Sequence, residues 1–181
     1  MLRYPRRWDR SYRGLAEYVS NLGSKRSLHN HFDADARCGR RKTENLRCAE
    51  AAIAMAASEG TLLMQLAETL DLVWPHPSAG QLAEVIPCGD PHQRLSNASG
   101  QYGVFVVAGL TERDHDKVFD SAILIDDSRQ CLRRHRMLNE WEIGQRWYGQ
   151  GDCLSVAHTS LGTSGVMICD AGSPRQVALD R

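Results

Sequence analysis

The chain predicts an α/β domain in which helices cover a sheet. Three observations carry this. Apolar residues recur at helical spacing from Leu46 to Ala56, several nearly unbroken apolar runs have the length of strands, and Gly, Pro, Asp and Ser gather between them. A chain of 181 residues suits one domain, and 42% hydrophobic residues with only 6 Pro argue against a disordered one.

Residues 1–41 hold ten Lys or Arg against four Asp or Glu, with weak periodicity and few apolar runs, and predict a basic, loosely ordered leader. Residues 42–181 predict the folded domain. Leu46, Ala49, Ala52, Ile53 and Ala56 form one apolar stripe, which predicts a helix over 44–58 with Thr43 as N-cap, Glu44 in the first turn and a stop at Gly60. The run 61–67 is apolar almost throughout, as expected of a strand covered on both faces, and ends at Glu68. After a loop rich in Pro and Gly (75–91), residues 92–99 predict a second helix facing the same layer, ended by Gly100. Strands are predicted over 102–109 and 120–126, with a turn at 127–129, and two more over 154–157 and 165–169, joined by a turn at 161–164.

The chain carries 22 basic and 22 acidic residues, so no overall field draws it to nucleic acid or to an acidic membrane. Its apolar runs are too short to span a bilayer, and the N-terminus lacks the layout of a secretory signal, so the cytoplasm is the expected compartment. Cys38, Cys48, Cys88, Cys131, Cys153 and Cys169 contain no C-x-x-C pair and read as free thiols. His29-x-His31 with Asp33 and Asp35 has ligand chemistry but no further matched cluster, so neither metal nor cofactor is expected. Gly162-Thr163-Ser164-Gly165 misses the nucleophile-elbow pattern by one residue and reads as a hairpin turn.

Reactive groups in an α/β sheet are presented beyond the carboxyl ends of strands. Glu68 follows one apolar strand and Cys169 ends another. A carboxylate emerging from an apolar strand is suited to exchange a proton, and a cysteine beside it could lose its thiol proton to that base on attack. The segments Tyr102 to Asp114, Phe119 to Asp126, Gly151-Asp152 and Leu161 to Asp170 resemble, in order and spacing, the carbon-nitrogen hydrolase (nitrilase) superfamily. Upstream, Asn45-Leu46, Glu59-Gly60 and Ala67-Glu68-Thr69 resemble the segment that carries that family's general base. The likeness covers about residues 42–172.

The resemblance implies an α-β-β-α sandwich. It implies Glu68 as general base and Cys169 as nucleophile, acting through a thioester on a small amide or N-carbamoyl compound, with no cofactor and with homodimers as a family-level expectation. The family's Lys would fall in a segment of the form Arg-Lys-x-x-Glu, to which Arg134-His135-Arg136-Met137-Leu138-Asn139-Glu140 corresponds, and Met137 occupies its place. A thioether neither donates a hydrogen bond nor carries charge, and Arg136, its neighbour in an extended segment, is expected to point the other way. An auxiliary Glu expected ahead of Gly151-Asp152 is replaced by Gly149 and Gln150, and only twelve residues follow Cys169. The alternative is therefore an inactive, C-terminally shortened relative serving as a non-catalytic remnant or interaction module. A third reading is a redox-responsive thiol protein using Cys169. Trp74, in the loop after Glu68, is a candidate pocket wall.

Overall fold

The computed structural model describes residues 41–72, 74–154 and 156–168. All of the leader but Arg41, the His29, His31, Asp33 and Asp35 group within it, and Cys169 with the residues after it lie outside the described residues.

Helix α1 (Lys42–Ser58) buries Asn45, Leu46, Ala49, Ile53 and Ala56, the stripe read from the sequence. Thr43 is not its cap. The N-cap position is Arg41, which makes no side-chain capping bond but pairs with Glu44 at 3.1 Å. Gly60 follows the helix at φ 80°, a left-handed conformation that glycine adopts at little cost. Strand β1 (Leu63–Gln65) is shorter than the predicted 61–67 because Thr61 N–H still serves the helix end, donating to Ala56 O.

A short helix α2 (Ala79–Leu82) precedes α3 (Asp90–Tyr102), which opens with Pro91 in its first turn. Helix α3 does not stop at Gly100. Gly100 lies under the Arg129 side chain, so its missing Cβ permits a close contact, and the helix runs on to Gly103, whose φ of 64° caps it.

Strands β2 (Phe105–Asp114) and β3 (Lys117–Ile125) pair antiparallel from Val106↔Ile125 to Asp114↔Lys117. Both outrun their apolar cores, since the tight hairpin zips polar residues into register. Strand β4 (Cys131–Arg136), with no apolar pattern, joins β3 and completes a sheet of order β1-β2-β3-β4, β1 being parallel to β2. Strands β5 (Val156–Thr159) and β6 (Gly162–Gly165) form a separate hairpin. Its turn falls before Gly162 and not over 161–164, because Thr159 Oγ1 accepts Leu161 N–H and donates to Gly162 O. Residues 166–168 consequently lie beyond the hairpin, outside any strand.

The sheet has two apolar faces. On one, Val106, Ala108, Leu110, Ile123 and Ile125 meet Leu46, Ile53 and Leu95 of α1 and α3. On the other, Phe105, Ala122 and Leu124 meet Met137 and Ala157, Val166 and Ile168 from the hairpin segment. The described chain is thus layered as helices, sheet and second β layer, the α/β architecture the sequence implies.

Candidate active site

The second face carries polar chemistry at the end of the sheet where β1 gives way to Glu68. After β1 the chain stays beside β2: Leu66 N–H donates to Val107 O, Gly109 N–H to Ala67 O, and Leu70 N–H to Gly109 O. The approach is so close that a Cβ on Gly109 would lie 2.5 Å from Glu68 Cα. Thr69, the residue after Glu68, is fully buried with φ 39°, a conformation costly for a β-branched side chain. Backbone strain is thus stored beside the carboxylate.

Asp71 folds back onto β2, where Oδ1 accepts Thr111 N–H (3.0 Å) and Oγ1–H (3.2 Å). Burial pushes its carboxyl up to about 6, although these bonds and the Lys42 charge oppose the rise. Thr111 is the cross-strand partner of Asp120. Asp120 is fully buried, and its carboxyl is held well above the ordinary carboxylate range, first by burial, then by hydrogen bonding to Glu68 and the charges of Glu140 and Asp71.

Met137 N–H donates to Asp120 O at 2.9 Å, and Met137 O accepts Gly151 N–H at 2.8 Å. Its side chain is 1% exposed and packs in the same apolar cluster as Ile168, the residue before Cys169. Arg136 is turned to the helix-side face. It pairs with Glu112 and Asp114 and stacks on Phe119, 3.9 Å from the ring centroid, so its guanidinium does not serve the site.

Glu140 closes the segment that the resemblance marks, and the sequence reading gave it no role. A carboxylate is absent at Gly149 and Gln150, but the loop after β4 brings Glu140 in, buried, with Oε1 accepting the Trp74 indole N–H at 3.0 Å. Burial pushes its carboxyl up, and the Glu68 charge adds to the rise. Gly144 permits this, since a Cβ there would collide with the Glu140 carboxylate and the Trp74 ring. Tyr148 packs with Trp74 against Ala79, Ala83 and Val118, and burial followed by the Asp120 charge raises its phenol. Trp74 therefore anchors a carboxylate. Its signal in the sequence is its place three residues after Met137, at the Glu of the Arg-Lys-x-x-Glu form.

The structure brings together Glu68, Asp71, Asp120, Glu140 and the Met137 main chain. Burial raises the carboxyls of Asp71, Asp120 and Glu140 alike, which suits the arrangement to hold protons. Among the described residues no group of His, Cys, Asp and Glu has the arrangement of a metal site, and no helix is long and apolar enough to cross a membrane. Cys48, Cys88, Cys131 and Cys153 are free thiols.

Residues 39–179 match the Carbon-nitrogen hydrolase family. A nitrilase from Paraburkholderia phymatum is 29% identical over 136 residues, covering 66% of this chain and 39% of that protein. The omega-amidase NIT2 of Xenopus tropicalis is 27% identical over 138 residues, covering 71% of this chain and 50% of its own. The chain therefore spans half or less of the length of these two relatives. Among solved structures, Saccharomyces cerevisiae Nit3, a member of branch 10 of the nitrilase superfamily, superposes with a TM-score of 0.67 at 24% identity, over 74% of this chain and 52% of that one.

Proposed function

Because the chain belongs to the carbon-nitrogen hydrolase (nitrilase) superfamily, we propose that its site is built to hydrolyse a small amide or N-carbamoyl compound, with Glu68 as general base and Cys169 as nucleophile. The observation that carries this reading is the convergence, on one face of the sheet, of the acid after β1 with Asp120 and with the cluster of Met137 and Ile168.

In this reaction Glu68 takes the Cys169 thiol proton as the sulfur attacks the carbonyl carbon. The C–N bond of the tetrahedral adduct breaks, the amine leaves with the proton from Glu68, and a thioester remains. Water then gives a proton to Glu68 and attacks the thioester. The C–S bond breaks, the acid is released and the thiol is restored. Met137 offers the tetrahedral oxyanion no N–H, which slows the chemistry by roughly 10²–10³, the effect of losing one oxyanion donor.

That same apolar side chain, buried where the resemblance implies a cation, favours a second reading: a non-catalytic relative serving as an interaction module. An ammonia-release assay over primary amides and N-carbamoyl compounds separates the two. The hydrolytic reading expects release by wild type that Cys169→Ala abolishes. Equal traces from both proteins, unchanged by Met137→Lys, leave the interaction module.

A further inference from the structure

Side chains of β4 alternate between the two faces of the sheet. Arg134 and Arg136 turn to Glu112 on the helix side, so His135, like Met137, faces the site. In the ladder His135 lies beside Ala122, and Ala122 beside Gly109, on which the Glu68 main chain is seated. Gly109 and His135 are thus two strand spacings apart, about 10 Å. The side chains of that row up to His135 are a hydrogen and a methyl group, so the floor between acid and imidazole is low. Ala122 belongs to the same apolar cluster as Ile168, the residue before Cys169.

His135 is 2% exposed, and the reaction as written does not use it. Burial holds its ring below the ordinary imidazole range and so toward the neutral form, while hydrogen bonding to the Cys153 main chain opposes the fall. A main-chain bond that favours the charged ring is one in which a ring N–H donates to a carbonyl. The neutral ring then gives its one N–H to Cys153 and keeps a bare nitrogen that accepts. An acceptor cannot pair with the oxygen of a carboxamide. It pairs with the N–H, which an ester of the same acid lacks.

We propose that His135 is a specificity-determining residue of this site, accepting a hydrogen bond from the N–H of the substrate amide and drawing the nitrogen to be expelled over Ala122 toward β4. This rests on the hydrolytic reading and narrows its substrate class. The scissile nitrogen must carry an N–H, and esters of the same acids are discriminated against.

The test measures acid release from primary amides and from methyl esters of the same small carboxylic acids, so that one product reports both substrates. The full chain is compared as wild type, Cys169→Ala, His135→Leu and His135→Gln. The ratio of amide to ester kcat/KM is taken within each protein and does not depend on how much of it is folded. His135→Leu is expected to lower this ratio roughly tenfold, the effect of losing one hydrogen bond. His135→Gln, whose side-chain carbonyl accepts, is expected to keep most of the wild-type ratio. A ratio that His135→Leu leaves unchanged, including by an equal fall in both rates, overturns the inference and spares the hydrolytic reading. Wild-type rates no higher than those of Cys169→Ala on both substrate classes overturn that reading and the inference with it.

Discussion

At the scale of single residues, Met137 and Asp120 define the site's chemistry. A thioether is bonded through its main chain to the strand that carries a buried acid, whose carboxyl is raised first by burial and then by neighbouring acids. Met137→Lys is expected to lower the Asp120 carboxyl toward the ordinary range and to raise kcat/KM for whichever amide is turned over by roughly 10²–10³. Steady-state kinetics read the second effect and carbonyl resonances the first.

Asp71 gives a pH signature. Its folded carboxyl sits at about 6 against 3.8 for the free group. Between those values the folded state binds more protons than the unfolded one. The contribution of Asp71 is therefore most favourable below pH 3.8 and is lost as pH rises to about 6. Urea midpoints measured across this window should fall more steeply in wild type than in Asp71→Asn. Identical slopes would exclude Asp71 as their source.

At the scale of elements, the sheet is held by close approach and by charge. Gly109→Ala would push a Cβ into Glu68 Cα and Thr69 N, neither of which can yield without moving the strained turn. The expected cost is about 1–3 kcal/mol in urea unfolding, as for overpacking elsewhere, with the Glu68 carboxylate displaced. Strand β4 has no apolar pattern, and its attachment rests on Arg134 and Arg136 closing on Glu112, whose side chain is 1% exposed. Arg136→Ala removes one partner of a buried acid and should cost about 3 kcal/mol. A change below 0.5 kcal/mol in the urea series would show that Arg134 alone holds the strand.

These elements also show what a single sequence can and cannot carry. Helix α1, the cores of β2 and β3 and the place of Glu68 were legible because each depends on local periodicity or on a motif, whereas the last strand, expected over 165–169, lies at Gly162–Gly165. Strand β4, the full β2-β3 hairpin and the burial of the Glu140 carboxylate in the site were not. Their stability comes from partners far along the chain, namely Glu112 for the arginines and Trp74 with Gly144 for Glu140, and nothing local records those meetings.

At the scale of the whole molecule, one sheet with two apolar faces organises everything. The helix side stabilises, and the opposite side both stabilises and presents the acids. Leu124, 1% exposed on the site side, belongs to the cluster that contains Met137 and Ile168. Leu124→Ala should cost about 2–5 kcal/mol in urea unfolding and disturb the site together with the fold. Ile123→Ala, on the helix side, should cost as much while shifting the Trp74 indole resonance less. Equal shifts would mean that the two faces are not separate units.

The central claim is that Glu68 activates Cys169 within this site. It is tested most directly by incubating wild type and Met137→Lys with primary amides and mapping covalent acyl mass by peptide mass spectrometry. The account predicts acylation confined to the peptide containing Cys169 and lost in Glu68→Gln. Acylation spread over the exposed Cys48, Cys88 and Cys153 as well, or undiminished by Glu68→Gln, would contradict it.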